Sequence, residues 1–160
     1  MDTSKLSRAE IFGIVAGIVL VLSLFTEWFT LDTEGVQRDE GDDWVCGTGD
    51  TSCTGWDTFP ILRILLVLAA AAPLILSWIV IRGHELTWPR GELTAIVGLT
   101  AFVLIAYNGF IDKPSPNDIG VNLSYGYFLG LFAALGIFAA GGYRTVESGG
   151  GARRKPPATF

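Results

Sequence analysis

Four long apolar stretches alternate with polar segments along this chain and dominate its pattern. The stretches cover residues 11–29, 59–81, 93–111 and 121–143. Each comes close to the roughly 20 apolar residues that a helix needs to cross about 30 Å of hydrocarbon. None has the polar face, repeating every third or fourth residue, that marks a surface helix of a water-soluble protein. The pattern therefore predicts an all-α membrane protein built as a bundle of four transmembrane helices.

The segments between these stretches carry most of the charge and complete the predicted layout. Composition agrees with a membrane protein, since the mean hydropathy is +0.46 and 17% of the residues are charged, against about 25% in a typical soluble domain. We expect an N-terminus over 1–10, an outer acidic loop over 30–58, an inner loop over 82–92, an outer loop over 112–120 and a disordered basic tail over 144–160.

The distribution of lysine and arginine predicts the orientation of the chain. Eight of the eleven basic residues lie in the three segments 1–10, 82–92 and 144–160. Short segments rich in lysine and arginine stay on the cytoplasmic side of a membrane. Both termini are therefore expected in the cytoplasm, and the protein is expected to be a multi-pass protein of the cell (plasma) membrane.

The first outer loop is strongly acidic, and this property limits the classes of partner. Eight carboxylates lie between Asp32 and Asp57, where Arg38 is the one basic residue, and the whole chain has a net charge of -5. Binding to nucleic acid requires the opposite sign of charge. The acidic run from Arg38 to Asp43 lacks the spacing of a calcium-binding EF-hand loop. No cofactor or metal site is expected.

The same loop contains both cysteines of the chain, Cys46 and Cys53. An even number of cysteines on the outer side of a membrane predicts a disulfide bond. Closing so short a loop stabilises the fold by roughly 2–3 kcal/mol in the chain-entropy model. A zinc site is disfavoured because the one histidine, His84, is expected on the opposite side. A redox-active pair is disfavoured because six residues, rather than two, separate the cysteines.

One basic residue falls inside a predicted span. Arg63 lies about one turn into the second span, where a charged side chain has to pair or reach the interface. Glu27 and Asp57 are the nearest acids by predicted depth, so we expect an intramembrane ion pair of Arg63 with one of them. Ion-coupled transport sites lie near the midplane of the membrane, and the four predicted spans have no ionisable residue there.

Two pairs of glycines have the four-residue spacing of close helix contacts. The pairs are Gly13 with Gly17 in the first span and Gly126 with Gly130 in the fourth. A glycine at each position of a G-x-x-x-G pair lets a second helix backbone approach closely. We expect both pairs to serve helix packing within the chain rather than a dedicated dimer face.

Sequence motifs at the ends of the spans resemble those of a known group of proteins. The first span ends in SLFTEWFTLD, the second begins in TGWDTFPILRILLVLAA and the fourth in GVNLSYGYFLGLFAALGIFAAGGYR. Residues 10–148 are similar to a group of uncharacterised four-span membrane proteins of actinobacteria, which share the G-W-x-x-F and S-Y-G-Y-like motifs. The resemblance implies the four-span topology and no activity.

The chain also resembles claudin-like tetraspan proteins in architecture. These proteins have four spans, inner termini and a first outer loop in which a tryptophan precedes two cysteines. Here Trp44 precedes Cys46 and Cys53 with a shorter spacing. This resemblance concerns architecture alone, which does not determine function.

The expected function is that of a non-enzymatic tetraspan protein with a structural or accessory role. It would pack with itself or with other membrane proteins through its acidic outer loop, its partners being the lipid bilayer and those proteins. The alternative is a small transporter or channel subunit that forms a pore on oligomerisation, with Thr94, Thr100 and Asn108 as its polar candidates. An enzyme is not expected, since His84 beside Glu85 is the one conceivable start of a catalytic pair.

Overall fold

A computed structural model describes residues 7–32, 51–82, 90–114 and 120–149 of the 160-residue chain. Most of this described part is helical, and three short strands make up the rest of its regular structure. In chain order the elements are α1 (Arg8–Ser23), β1 (Glu27–Asp32), β2 (Ser52–Thr54), α2 (Gly55–Thr58), α3 (Pro60–Ile81), α4 (Arg90–Phe110), β3 (Gly120–Leu123) and α5 (Tyr125–Gly149).

Three of the helices are long and apolar enough to cross a membrane. They are Pro60–Ile79 within α3, Gly91–Phe110 within α4 and Tyr125–Glu147 within α5. Large apolar side chains remain exposed on them, as Ile61 and Phe132 illustrate with exposed fractions of 75% and 66%. Extended exposed apolar surface marks an interaction with lipid or protein. A mostly helical protein with membrane-length apolar helices agrees with the prediction.

The first apolar stretch forms a shorter helix than expected. The helix α1 has 16 residues and ends at Ser23, so its rise is about 24 Å. Trp28 and Phe29, which were predicted at the end of a helical span, lie instead in β1. The indole Nε1 of Trp28 donates a hydrogen bond to the carbonyl oxygen of Ser23 at 2.7 Å. The indole N–H thereby pairs with a carbonyl oxygen that would accept a backbone N–H if the helix continued.

The four long helices pack side by side in a closed arrangement. The helix α1 contacts α3 and α5, and α4 contacts the same two helices from the other side. At Gly17 a Cβ atom would lie 2.7 Å from the carbonyl oxygen of Ala70, and at Gly13 it would lie 3.3 Å from the Cβ of Ala140. This glycine pair therefore lies at the contacts of α1 with α3 and α5.

The closest contact between helices joins α4 and α5, and it uses glycines that the sequence analysis did not single out. A Cβ at Gly91 would lie 2.7 Å from the carbonyl oxygen of Gly141, and one at Gly98 would lie 2.8 Å from the Cα of Phe138. At these positions the backbones of α4 and α5 are in direct contact, with no side chain of the glycines between them. The spacing of these residues differs from G-x-x-x-G, which is why the motif search missed them.

A three-stranded antiparallel sheet lies at one end of the bundle and corrects the all-α prediction. Its strand order is β2-β1-β3, and Phe29 in the central strand pairs with Cys53 on one side and Leu123 on the other. The strand β2 lies in the predicted first outer loop, whereas β1 begins within the predicted first span and most of β3 lies within the predicted fourth span. Strands of three to six residues gain backbone partners only through distant parts of the chain, so local sequence pattern does not reveal them.

The sheet also defines the two ends of the molecule. The helices α1 and α4 reach it with their C-terminal ends, whereas α3 and α5 begin beside it. At the opposite end α5 continues to Gly149. The first residues of the predicted disordered tail, 144–149, are therefore helical, and the rest of that tail lies outside the described residues.

Replacing Gly17 by alanine should lower the free energy of unfolding by roughly 1–3 kcal/mol, because the new methyl group would press against the backbone of α3. The matched control is Gly142 on α5, where a Cβ would meet nothing within 4 Å. Gly142→Ala should leave stability unchanged or raise it by up to about 1 kcal/mol through better helix propensity. Thermal unfolding followed by circular dichroism in mild detergent measures both. Equal unfolding temperatures for Gly17→Ala and the unchanged protein would contradict the described contact.

Candidate functional site

Buried aromatic side chains fill the end of the bundle that carries the sheet. Trp28, Phe29 and Tyr127 are fully buried. Trp28 meets Tyr127 edge-on with 5.8 Å between the ring centroids, and Phe29 lies 6.1 Å from the same ring. The hydroxyl of Tyr127 donates a hydrogen bond to the carbonyl oxygen of Ile105 at 3.2 Å. These contacts fasten the central strand β1 to both α4 and α5.

Glycines provide the space for these rings. A Cβ at Gly55 would lie 2.5 Å from the indole of Trp28, and one at Gly130 would lie 2.9 Å from the same ring. Gly109 faces the ring of Tyr127 in the same way. The predicted packing residue Gly126 lies against Thr26 in the turn after α1. The fourth-span glycine pair therefore packs against the turn and the tryptophan that follow α1.

The acidic segment 33–50 begins and ends on neighbouring strands of this sheet. The strand β1 ends at Asp32 and β2 begins at Ser52, and Thr30 pairs with Ser52 across the two strands. The backbone N–H of Leu31 also donates to the carbonyl oxygen of Thr51 at 2.8 Å. The segment itself lies outside the described residues, and its sequence contains six carboxylates and Arg38. The described residues on either side of it thus lie on neighbouring strands that pack on the bundle.

One of the two cysteines lies in this base. Cys53 is the middle residue of β2, and its exposed fraction is 1%. No free cysteine occurs among the residues that the structure describes. Its expected partner, Cys46, lies outside them. The disulfide bond therefore stays a prediction.

The predicted ion pair of Arg63 with Glu27 or Asp57 does not appear among the ion pairs of the described residues. Within the described residues Arg63 instead stacks on Trp56, with 5.1 Å from its guanidinium carbon to the ring centroid, and donates to the Trp56 carbonyl oxygen at 3.1 Å. Glu27 accepts a hydrogen bond from β2, and Asp57 accepts one from Thr54 at the start of α2. A cation over an aromatic face gains about 0.5–2 kcal/mol, so the contact with Trp56 gives the guanidinium of Arg63 a partner close to it along the chain.

A buried ion pair does exist, at the opposite end of the bundle. Glu10 in α1 pairs with Arg144 in α5, and their side chains have exposed fractions of 4% and 20%. The second carboxylate oxygen of Glu10 accepts from the backbone N–H of Ser7 at 2.8 Å, which completes a capping box at the start of α1. Sequence analysis placed both charged residues one position outside the predicted spans and missed the pair. The S-x-x-E pattern at Ser7 was a signal for the helix start.

The ion pair borders a small, partly open cavity. The cavity has a volume of about 10 Å³, and all four long helices contribute to its lining, including Ser77 of α3 and Thr94 of α4. A space of this size holds about one water molecule. Within the described ranges no group of three histidine, cysteine or acidic residues could hold a metal ion. The junction is suited to joining the helices rather than to binding a substrate.

The polar residues considered for a pore are satisfied within their own helix or lie at this cavity. The hydroxyl of Thr100 donates to the carbonyl oxygen of Ile96 at 2.8 Å, and the amide of Asn108 donates to that of Leu104 at 2.8 Å. Thr94 lines the small cavity beside the ion pair. His84 and Glu85, the residues considered for catalysis, lie outside the described residues.

Comparison with protein-family models, with curated proteins and with solved structures finds no match for this chain. The two resemblances seen in the sequence therefore stay predictions. What distinguishes the candidate site is its own geometry, namely two neighbouring strands at one end of a helix bundle that flank an acidic segment of the sequence.

Breaking the buried ion pair should destabilise the protein strongly. Glu10→Gln or Arg144→Gln should each lower the free energy of unfolding by about 3 kcal/mol, because each leaves the other charge buried without its partner. The double variant should lose clearly less than the sum of the two. Glu147→Gln, at an exposed position of α5, is the matched control and should change stability little. Additive losses in detergent unfolding experiments would show that the two charges do not interact.

Proposed function

We propose that this chain is a non-enzymatic accessory membrane protein that binds the outer surface of another membrane protein through its acidic segment 33–50. The observation that carries the proposal is the fixing of both ends of this segment on the adjacent strands β1 and β2. A segment whose ends are held loses less conformational entropy on binding than a free chain does. Its six carboxylates favour a basic partner surface. Like charges oppose the contact of two copies through the same segment.

The proposal includes a fourth membrane crossing by α1. This helix packs between α3 and α5 and reaches the sheet together with the other long helices. Its outer face is apolar and exposed, as are the outer faces of its neighbours. The buried rings of Trp28 and Phe29 continue the apolar path beyond the helix end. These features support a crossing that combines α1 with the start of β1.

The orientation follows from the basic residues of the sequence. With both termini in the cytoplasm, the sheet and the acidic segment face the outside of the cell (plasma) membrane. The outer side is also where a disulfide bond between Cys46 and Cys53 would persist. Such a bond would tie the acidic segment to the middle of β2. This tie would keep the segment close to its base.

The alternative of a small transporter or channel subunit has less support. Thr100 and Asn108 already hydrogen-bond within α4. The interior of the described bundle is packed through close glycine contacts. A pore would have to form between copies of the chain, and the helix surfaces available for that are apolar.

A photo-crosslinking amino acid at Gly41 should capture a specific partner in intact membranes of the native host. Changing Asp39, Glu40, Asp42 and Asp43 to their amides should remove the adduct, because it removes the charge that attracts the partner. A crosslinker at Glu147, at the other end of the bundle, is the control and should not give the same adduct. Capture that survives the neutralised variant, or that occurs equally from position 147, would contradict the proposal.

The disulfide bond and the orientation are tested together with thiol reagents. Without reduction, Cys46 and Cys53 should resist alkylation in native membranes, because both thiols are consumed in the bond. After reduction, a membrane-impermeant maleimide added to intact cells should label Cys46. Cys46→Ser with Cys53→Ser is the background control and should label nowhere. Thiols that react before reduction would refute the bond, and labelling that requires broken cells would refute the orientation.

A further inference from the structure

A surface groove runs between α1 and α5 at the end of the bundle that lies away from the sheet. It has a volume of about 390 Å³ and is open to the surroundings of the protein. Its lining consists of Arg8, Ala9 and Phe12 from α1 and of Ala139, Ala140 and Tyr143 from α5.

Differences in side-chain size create this groove. The floor and one wall are alanines, whereas Phe12 and Tyr143 are large and exposed on either side. The ring of Phe12 also leans toward Gly136, where a Cβ would lie 3.8 Å from the ring. The result is an apolar slot that runs parallel to the helices. Its polar residues, Arg8 and Tyr143, lie at the end of the bundle away from the sheet. Such a shape suits a hydrocarbon chain lying along the helices.

The charged residue of the groove is Arg8. Its side chain is exposed and forms no ion pair with any residue that the structure describes. The neighbouring Glu10 is neutralised by Arg144, so it does not cancel the charge of Arg8. The positive end of the α1 dipole lies at the same place. Glu147 is exposed one turn beyond Tyr143 and forms no ion pair with Arg8.

We propose that this groove binds one phospholipid with an anionic headgroup. The phosphate would meet the guanidinium of Arg8, since arginine binds phosphate through charge-assisted hydrogen bonds. Tyr143 would lie at the headgroup level, where tyrosine is favoured, and an acyl chain would lie in the slot beside Phe12. A basic mouth joined to an apolar slot suits an amphiphile rather than free phosphate. The site is independent of the proposed contact at the sheet end, because it lies at the opposite end of the bundle.

Native mass spectrometry of the full chain from nanodiscs tests this site. The nanodiscs contain equal amounts of palmitoyl-oleoyl phosphatidylglycerol and phosphatidylcholine, and the measured quantity is the ratio of the two lipids retained by the protein. The unchanged protein should retain phosphatidylglycerol preferentially. Arg8→Gln should lower the ratio about fivefold, which corresponds to the roughly 1 kcal/mol expected for one basic residue near an anionic surface.

Two further variants separate this site from general attraction to anionic lipid. Arg82→Gln removes an exposed basic residue at the same end of the bundle, one that stacks on Trp78 at 5.0 Å, and should leave the ratio unchanged. Ala139→Leu fills the slot at an exposed position without changing the charge, and should reduce the retention of both lipids. An equal ratio for Arg8→Gln and the unchanged protein would overturn the proposal. So would an equal loss for Arg82→Gln, or full retention by Ala139→Leu.

Discussion

The indole ring of Trp28 occupies the junction where α1 ends and the sheet begins. Its Nε1 donates a hydrogen bond to the carbonyl oxygen of Ser23 at 2.7 Å, which closes the end of α1. The ring also requires the bare faces of Gly55 and Gly130, since a Cβ there would come within 2.5 and 2.9 Å of it. One buried side chain thus couples the end of α1, the start of α2 and the first turns of α5. The position of the sheet on the bundle depends on this contact.

Different interactions join the helices at the two ends of the bundle. At the sheet end, backbone hydrogen bonds between strands and buried aromatic rings join the helices. At the other end, the ion pair of Glu10 with Arg144 joins α1 to α5 beside a cavity that holds about one water molecule. The described interior therefore leaves little space for a substrate.

The two proposed contacts differ in charge and belong to opposite ends of the bundle. The acidic segment 33–50 is flanked in the sequence by the strands β1 and β2, and the groove beside Arg8 lies where α1 begins and α5 ends. The orientation of the protein in the membrane therefore fixes the side on which each of them lies. If the acidic segment faces outward, Arg8 lies at the cytoplasmic leaflet, which is the leaflet rich in anionic lipid. The same positive charge that predicts the orientation also contributes to the proposed lipid site.

The sequence by itself determined the features that depend on near neighbours along the chain. Runs of apolar residues predicted the membrane-length helices, and the S-x-x-E pattern at Ser7 was an available signal for the start of α1 that the prediction, beginning at residue 11, did not use. Only the tertiary structure decided the partners of Arg63, which stacks on Trp56, and of Glu10, whose partner Arg144 is 134 residues away. It also decided the sheet, whose strands are too short to recognise alone. Helical hydrogen bonds close within four residues, whereas ion pairs, strand pairs and ring contacts form only after distant segments have packed together.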